Sequence, residues 1–441
     1  MSGRGESGGF IINGREDSVL DLDDLPTRRE QNGTEEDLEG WADAEPQTPR
    51  ESLAERSSLQ RNVTIAEEVL NPYTQGFFGT SISVKLNEVF HMAVFGIIGV
   101  LVRIGLGLLF GPQHGNVTSD DSALFVYLPV NAVGSFFMGV AVGTDDAIQP
   151  YLPYVHLGFT TGLCGSLTTY ASWNQQLLEM FARGNDGTNQ WLRALFALIL
   201  GLEVPLFSYT LGLHTEKSIR HFVIRYVRAP RDPDLADRYE QYRAARRSLS
   251  MLEEAAATAA ALRGGHDRWG LRKPDKPPGG DDDIVFHRRR CIATVASGAL
   301  AVAMVALAAI GVALDPDQTR KGYWLACVMA PFGVMIRWQL GLYLNRRHRW
   351  LPLGTFAANV LGSVGDAAVY GARLRRNSYW TEVVYQGVVN GIDGSMSTIS
   401  TFVAELQREW RLRYAYAYAT ISVTTTLMLG FLIYGVQKWT L

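Results

Sequence analysis

The sequence predicts an all-α polytopic membrane protein with nine transmembrane helices, arranged as two inverted four-helix repeats around one linker helix (4+1+4). Three observations lead to this prediction. Nine apolar stretches are each about 20 residues long or longer, which is the length of helix that spans a bilayer. Corresponding motifs recur in the first four and the last four stretches. The single stretch between them makes the second set enter the membrane from the opposite side, so an inverted repeat follows.

The first repeat is predicted within residues 88–216, the linker helix at 291–314 and the second repeat within 321–437. The linker is rich in alanine and valine and has no polar residue at its centre, so we expect it to set topology only. The eight stretches of the repeats are 89–110, 124–143, 153–181, 191–213, 322–344, 353–371, 384–406 and 414–436.

Polar residues dominate the two remaining segments. Residues 1–87 contain many Glu, Asp, Ser and Gly, which predicts a disordered tail. Residues 217–290 are predicted as a polar connector that acts as a solvated tether. Lys and Arg cluster in this connector and after the sixth and eighth stretches, and such clusters favour the cytosolic side of a membrane. We therefore place the N-terminus and the connector in the cytosol and the C-terminus outside the cell.

The motif content narrows the class of function. Cys164, Cys291 and Cys327 show no metal-binding CxxC spacing. The sequence contains no HExxH, GxSxG or phosphate-binding loop, so an enzyme is not expected. The expected surroundings are a lipid bilayer, and no nucleic-acid partner is expected.

Two segments interrupt their apolar stretches with glycine and hydroxyl residues. Residues 391–402 read GIDGSMSTISTF, with five hydroxyl side chains, and residues 162–173 read GLCGSLTTYASW in the same order. In hydrocarbon, backbone groups leave helical pairing only where protein or water takes them up. The third helix of each repeat is therefore predicted to break near the midplane, where freed carbonyls can hold a cation and freed amides can face an anion. A packing seam of small residues is the structural alternative.

Asparagine recurs at one place in the second helix of each repeat. Asn131 opens the motif Asn-Ala-Val-Gly-Ser and Asn359 opens Asn-Val-Leu-Gly-Ser. Intramembrane asparagine often joins helices. A symmetric pair favours pore lining instead, because each amide offers two N–H donors to an anion.

The last stretch carries a polar face. Tyr418, Ser422 and Thr426 follow an i, i+4, i+8 pattern and therefore lie on one side of a helix. The equivalent stretch of the first repeat, 191–213, has no such face. We interpret the three hydroxyls as a polar track on one side only.

Taken together, these motifs resemble those of the fluoride channels of the CrcB/Fluc group. The motif Asn-x-x-Gly-Ser on the second helix is followed on the broken helix by Gly-x-x-Gly-x-x-Thr-Thr-aromatic-x-x-aromatic. Two copies joined by a linker helix are similar to the fused eukaryotic exporter branch, FEX. The resemblance covers 89–213 and 322–436. It implies a passive channel of the plasma membrane that exports fluoride, confers fluoride resistance and works as a single fused chain.

The resemblance also implies roles for individual residues. Arg103 and Arg337 match an arginine of the first helix and would lie in the vestibules. A central structural Na⁺ would be held by backbone carbonyls of Gly165, Thr168, Gly394 and Ser397. The residues implied to line the fluoride pathway are Asn131, Asn359, Tyr170, Trp173, Phe402, Thr169, Thr398, Ser400, Thr401, Tyr418, Ser422 and Thr426.

The two copies differ at the aromatic positions. The paired phenylalanines of the family fall on Tyr170 and Trp173 in the first copy, and on Ile399 and Phe402 in the second. In the family each pore takes one aromatic from each copy. The pair of Tyr170 with Phe402 is then aromatic, and the pair of Trp173 with Ile399 is not. Together with the missing polar face on 191–213, this predicts one working pore and one degenerate pore.

Carboxylates inside the stretches keep an alternative function open. Asp366, Asp393, Glu203 and Glu405 are costly in a membrane unless they are paired or hydrated. A proton-coupled secondary anion transporter would need such a group, with Asp366 or Glu203 in that role. A non-transporting scaffold is a third alternative, but it explains neither the paired asparagines nor the duplicated break.

Overall fold

The computed structural model describes residues 80–149, 152–183, 189–222, 282–345, 347–348, 350–376, 378–409 and 411–441. These residues form α-helices with short π-helical segments, and no strand occurs among them. The all-α class predicted from the sequence is therefore confirmed. The predicted tail up to residue 79 and the connector residues 223–281 lie outside the described residues.

Three uninterrupted helices belong to the first sequence repeat: α1 (Thr80–Phe110), α2 (Leu128–Gly143) and α3 (Gln190–Phe222). Between α2 and α3, after the short helix Asp145–Ile148, lies a helix in pieces that we call the first broken helix. Its pieces are α-helical Pro153–Leu157, π-helical Gly158–Cys164, α-helical Gly165–Leu167 and α-helical Tyr170–Ala182.

The last turns of α3 enter the range that the sequence assigned to the connector. Arg220 forms an ion pair with Glu216 one turn earlier and donates a hydrogen bond to the Gly143 carbonyl (2.7 Å). These contacts hold the end of α3 against the end of α2. The helix therefore continues to Phe222.

Four uninterrupted helices follow: α4 (Asp282–Leu314), α5 (Gln318–Leu344), α6 (Leu353–Arg375) and α7 (Leu412–Gly430). Helix α7 continues through a π-helical segment, Phe431–Gly435, into Val436–Thr440. Between α6 and α7 lies the second broken helix. Its pieces are α-helical Tyr379–Gly387, π-helical Val388–Asp393, α-helical Gly394–Met396 and α-helical Ile399–Arg408.

The turn between α4 and α5 is closed by Asp315. Its carboxylate accepts hydrogen bonds from the Arg320 guanidinium (3.1 Å) and from the Trp324 indole (3.1 Å). The bonds from Arg320 lower the pKa of Asp315 to about 2. The linker helix and the second repeat are thus joined by a short, charge-paired turn.

Five described helices are long and apolar enough to cross a membrane, and they are Val84–Phe110, Gln190–Phe222, Ile292–Leu314, Gln318–Leu344 and Leu412–Thr440. The apolar helix Leu128–Gly143 is shorter. Large apolar side chains are exposed on these helices, including Phe207, Val302 and Phe332. Helices with apolar outer faces fit hydrocarbon rather than water. The chain is a multi-pass membrane protein.

The centre of the fold is a contact between the two repeats. Helices α1 and α5 pack against each other, and each also packs against the π-helical segment of the broken helix in its own repeat. Helix α4 packs against both α1 and α5. Both broken helices are thereby packed against the α1–α5 pair.

The carboxyl-terminal pieces of the broken helices contact helices of both repeats. Tyr170–Ala182 packs against α6 and α7 as well as α3. Ile399–Arg408 packs against α2 and α3 as well as α7. Any pathway along one of these pieces is therefore lined by side chains of both copies.

Candidate ion pathway at the two helix breaks

Each broken helix is interrupted at the glycine-hydroxyl segment that the sequence singled out. After a π-helical segment and one short turn, Thr168 and Ser397 adopt extended backbone conformations (φ −91°, ψ 147° and φ −82°, ψ 153°). The helix restarts two residues later in both copies, at Tyr170 and at Ile399. A wide π turn followed by an extended residue is a recognised cause of a sharp helix break.

Hydroxyl side chains at the breaks act as helix N-caps. The Thr169 side chain accepts a hydrogen bond from the Ser172 amide (3.3 Å), and Thr398 accepts one from the Thr401 amide (3.4 Å). Thr398 also donates to the half-buried Thr401 hydroxyl (3.4 Å). Caps of this kind pair amides that the start of a helix leaves free. Thr169, Thr398 and Thr401 therefore have a structural role at the breaks.

The two asparagines form hydrogen bonds to the backbone at the break of their own repeat. The Asn131 amide accepts from the Thr169 N–H (2.9 Å) and donates to the Thr169 carbonyl (3.2 Å). Asn359 makes the same two bonds to Thr398 (2.8 and 3.3 Å). Both side chains are fully buried. Because one amide N–H is used in each bond pair, each asparagine keeps one N–H for another acceptor.

A further pair of caps crosses between the repeats. Thr168 of the first break accepts a hydrogen bond from the Ser400 amide (3.1 Å). Ser397 of the second break accepts one from the Ala171 amide (3.0 Å). The Thr168 hydroxyl also contacts those of Thr398 (3.1 Å) and Ser400 (3.0 Å). Each restarting helix is thus capped by the other copy.

Arg103 and Arg337, which the resemblance assigned to the vestibules, have buried side chains that bond to backbone carbonyls. Arg103 on α1 donates to the Asn390 and Gly394 carbonyls of the second broken helix. Arg337 on α5 donates to the Thr161 carbonyl of the first broken helix. The side chains are drawn inward because the π-helical segments expose carbonyls that need donors. Each arginine therefore joins its own repeat to the break of the other.

The carbonyls named for Na⁺ lie at these breaks. Thr168 and Ser397 have left the helical conformation, so their carbonyls are available, and carbonyl oxygen suits a hard cation. The Gly394 carbonyl already accepts from Arg103, and the Arg337 guanidinium lies against Gly165. The Thr168 and Ser397 carbonyls therefore suit a cation, whereas the guanidinium groups beside Gly165 and Gly394 carry a like charge that disfavours one at those two positions.

Aromatic rings of both copies meet beside α7. The Tyr170 and Phe402 rings pack edge to face, with centroids 5.6 Å apart. Phe402 makes a similar contact with Tyr418 of α7 at 4.9 Å. The Tyr170 hydroxyl lies 3.3 Å from that of Thr426, and Tyr418, Ser422 and Thr426 are all buried. The polar track predicted on the last helix therefore faces the aromatic pair predicted beside it.

Glu405 extends this track, and the sequence did not assign it a role there. Its carboxylate accepts hydrogen bonds from the Tyr418 hydroxyl (2.9 Å) and from the Thr355 hydroxyl of α6 (2.7 Å). Thr355 was missed because its partner lies far away in the chain. The only sequence signal was the cost of a carboxylate inside an apolar stretch.

Trp173 and Ile399 occupy the other two positions at which the family has aromatic residues. Their contacts differ from those of Tyr170 and Phe402. The Trp173 indole N–H donates to the Ala197 carbonyl of α3 (3.2 Å), and the side chain is buried. Ile399 is fully buried and offers no hydrogen-bonding group. The structure therefore brings the Trp173 indole N–H to α3, while its ring packs edge to face on Tyr170 (5.2 Å).

The remaining carboxylates lie in two different environments, one buried near the breaks and one exposed on α3. Asp366 accepts from the Ser172 hydroxyl (3.2 Å) and lies within hydrogen-bonding reach of Asp393. Both carboxylates are buried. Glu203 is exposed on the outer face of α3. Only the first two are close to the breaks, so Glu203 is not positioned to act on an ion there.

A cavity of about 750 Å³ opens beside the second broken helix. It reaches Asn390, whose carbonyl accepts from Arg103. Five tyrosines line it: Tyr127, Tyr323, Tyr370, Tyr385 and Tyr434. The Arg373 guanidinium lies over the Tyr385 ring (4.2 Å) and pairs with Glu382 (2.8 Å). An ion in this cavity would lie next to the break.

Comparison with known proteins places these features in a family. Residues 90–212 and 324–436 match the family described as CrcB-like protein, Camphor Resistance (CrcB). The chain is 29% identical over 380 residues to fluoride export protein 1 of Candida albicans, covering 80% of this chain and 79% of that protein. It is 22% identical over 317 residues to fluoride export protein 1 of Saccharomyces cerevisiae, covering 64% and 76%.

A bacterial relative matches one repeat only. The fluoride-specific ion channel FluC of Shewanella sp. is 32% identical over 129 residues, which are 29% of this chain and 94% of that protein. No solved structure matches. Because the two matched segments cover more than half of the chain and contain both breaks, this chain belongs to the CrcB family.

Proposed function

We propose that this chain is a passive fluoride channel of the plasma membrane that exports F⁻ from the cytosol. Its relatives are named for fluoride export and for a fluoride-specific channel. The observation that carries the proposal is the contact of the Tyr170–Phe402 ring pair with the buried hydroxyl face of α7. Such a surface offers an anion donors without bulk water.

The chemistry of this surface suits fluoride. Aromatic rings carry a positive edge and can contact F⁻ without hydrating it. The Ser422 hydroxyl, unpaired within the described residues, and the free N–H of Asn359 replace parts of its water shell, and the Tyr418 and Thr426 hydroxyls do so by turning from the Glu405 carboxylate and the Ser422 carbonyl to the ion. The Ser422 hydroxyl is buried and has no partner in the described part of the chain. It is therefore available to a passing ion.

Fixed positive charge at the breaks lowers the cost of an anion near the midplane. The guanidinium groups of Arg103 and Arg337 supply two such charges. Bound Na⁺ at the Thr168 and Ser397 carbonyls would add a third. The driving force is the membrane potential, since HF enters as a neutral acid and the ion then leaves with about 2.3 kcal/mol per 100 mV.

The architecture that goes with this function has nine membrane-spanning helices in the order 4+1+4. In this arrangement α1, α2, the first broken helix and α3 form one repeat, α4 is the linker, and α5, α6, the second broken helix and α7 form the inverted repeat. The N-terminal tail and the connector lie in the cytosol. One fused chain suffices, because each break already receives its cap and its arginine from the other copy.

Conduction through one pore is part of the proposal. The pathway with Tyr170, Phe402 and the α7 hydroxyls has both the rings and the donors, and α6, which carries Asn359, packs against α7. On the other side, the buried face of α3 carries Ala194, Ala197, Gly201 and Pro205, and the hydroxyl of this face belongs to Tyr209, one turn beyond Pro205. We therefore assign conduction to the pathway of Asn359.

Fluoride efflux from liposomes tests the function. Purified protein is reconstituted with internal KF, a potassium ionophore clamps the voltage, and a fluoride electrode records efflux. Wild type is compared with Asn359→Asp and Asn131→Asp, with chloride as the control anion. Fast voltage-driven fluoride loss that only Asn359→Asp abolishes is the expected result. Equal partial losses would show two pores, and fluoride movement only with a pH gradient would indicate a proton-coupled transporter instead.

A further inference from the structure

Two loops are joined by stacked aromatic rings at the end of the molecule where α6 and α7 begin. Trp350, in the loop before α6, lies on Tyr414 in the first turn of α7, with ring centroids 5.4 Å apart and ring planes at 14°. The His348 ring contacts Trp350 at 5.2 Å. The stack therefore fixes the loop before α6 against the start of α7.

Arginine side chains are held around the same stack. The Arg413 guanidinium lies over the Tyr414 ring (4.8 Å) and donates to its hydroxyl (3.2 Å). Arg411 lies over this ring as well, at 5.8 Å. Contacts with aromatic rings position a cation without neutralising its charge. With the exposed Arg347 these residues form what we call the basic-aromatic surface: Arg347, His348, Trp350, Arg411, Arg413 and Tyr414.

The positive charge of this surface is not balanced by carboxylates. At the other end of α6, Arg373 pairs with Glu382 (2.8 Å). Arg347 and Arg413 form no ion pair within the part of the chain that the structure describes. Glu409, close by in the sequence, accepts a hydrogen bond from a backbone amide of the same loop (3.3 Å). The surface therefore keeps an excess of positive charge, which attracts an anion.

Exposed apolar side chains lie next to these charges. Leu412 stands between Arg411 and Arg413 in the chain, and Tyr416 follows it by four residues on the same face of α7. Both side chains are 69% exposed, so they need hydrocarbon rather than water around them. Basic groups beside membrane-facing apolar side chains match a ligand that carries both a phosphate and acyl chains. A soluble phosphate compound would leave the apolar part of the surface uncovered.

We propose that the basic-aromatic surface binds the headgroup of an anionic phospholipid, with Arg347 and Arg413 on the phosphate and with Leu412 and Tyr416 against the acyl chains. A bound lipid would join the loops from which α6 and α7 begin, one turn before Tyr418 of the hydroxyl track. In the proposed topology both loops face the cytosolic leaflet, which carries anionic lipids. Lipid binding itself does not require fluoride to pass.

Native mass spectrometry of the purified full chain tests the lipid site. Protein in detergent micelles is titrated with phosphatidylserine or with phosphatidylcholine, and the fraction that carries a bound lipid is recorded. The surface variant carries Arg347→Gln and Arg413→Gln. The matched control carries Arg375→Gln and Arg376→Gln, which removes two exposed guanidinium groups at the other end of α6.

We expect wild type and the matched control to bind phosphatidylserine in preference to phosphatidylcholine. Each basic residue near an anionic membrane surface contributes about fivefold to affinity, so the surface variant should bind phosphatidylserine about 25-fold more weakly. A variant with Arg347→Lys and Arg413→Lys keeps both charges and should retain most of the binding, which separates loss of the site from misfolding.

Three results would overturn the lipid site. One is equal weakening in the surface variant and the matched control, and another is equal binding of the two lipids by wild type. The third is displacement of phosphatidylserine by inorganic phosphate but not by chloride at the same ionic strength, which would indicate a site for free phosphate. Fluoride efflux from phosphatidylcholine liposomes is measured separately, and its absence would refute the proposed function and leave the lipid site standing.

Discussion

The exchanged caps lead to a prediction that links the two copies. Ser397 belongs to the second repeat, but its hydroxyl accepts the hydrogen bond of the Ala171 amide in the first repeat (3.0 Å). Ser397→Ala removes this acceptor and changes the side chain by one oxygen atom. We expect the damage to appear at the start of the Tyr170–Ala182 helix, in the other copy.

The size of the effect follows from the burial of the site. Both Ser397 and Ala171 are fully buried, so water does not replace the lost bond. Loss of an N-cap hydroxyl costs about 0.5–2 kcal/mol, and a buried amide left unpaired costs about 1–3 kcal/mol. We expect about 1–2 kcal/mol, which corresponds to a factor of about 5–30 in the equilibrium for local opening.

Hydrogen–deuterium exchange resolves where this loss occurs. Peptides that cover 168–182 and 397–408 are compared in wild type and Ser397→Ala. Exchange should rise in the first peptide although the substitution lies in the second. Thr401→Ala is the control, because the Thr401 hydroxyl bonds to Thr398 of its own repeat, whereas the Thr398 hydroxyl also contacts Thr168 of the other copy. A rise confined to 397–408 in Ser397→Ala would refute the exchanged cap.

Three further outcomes are expected. Arg103→Met removes the hydrogen bonds to the Asn390 and Gly394 carbonyls, and thermal unfolding should show that the free energy of unfolding falls by about 3 kcal/mol. An unchanged unfolding temperature would contradict a stabilising role of these bonds. Replacement of Na⁺ by N-methylglucamine should lower the unfolding temperature, because the folded protein loses up to about 2.7 kcal/mol of stability if Na⁺ was present at 100 times its Kd. An unfolding temperature that does not depend on Na⁺ would argue against the sodium site. Tyr418→Phe keeps the ring contact with Phe402 but removes the donor to Glu405, so fluoride efflux should slow about tenfold, the worth of one hydrogen bond. Unchanged efflux would exclude that hydroxyl from the pathway.

Much of the candidate site could be predicted from local patterns. Glycines next to hydroxyls inside an apolar stretch predict a break, since few other arrangements are tolerated in hydrocarbon. The interval of four residues from Tyr418 to Ser422 and Thr426 places these hydroxyls on one face of any α-helix. Both features depend on neighbours in the chain, and the structure shows both.

Contacts between the copies could not be predicted in this way. Nothing near Arg103 in the sequence indicates that its partners are the Asn390 and Gly394 carbonyls. The partners of Trp173 on α3 could not be predicted either: its indole lies against Gly201 and donates to the Ala197 carbonyl. Its position depends on the absence of side-chain volume on another helix, which no pattern around Trp173 reveals.

The sequence by itself determined the class of protein, the duplicated design and the places where the helices break. These follow from hydropathy, repetition and the limits that a bilayer sets on the backbone. Only the tertiary structure decided which carbonyl each arginine binds, which copy caps each break and which aromatic ring lies on which helix. Those choices depend on distances between segments far apart in the chain, and such distances are fixed by packing.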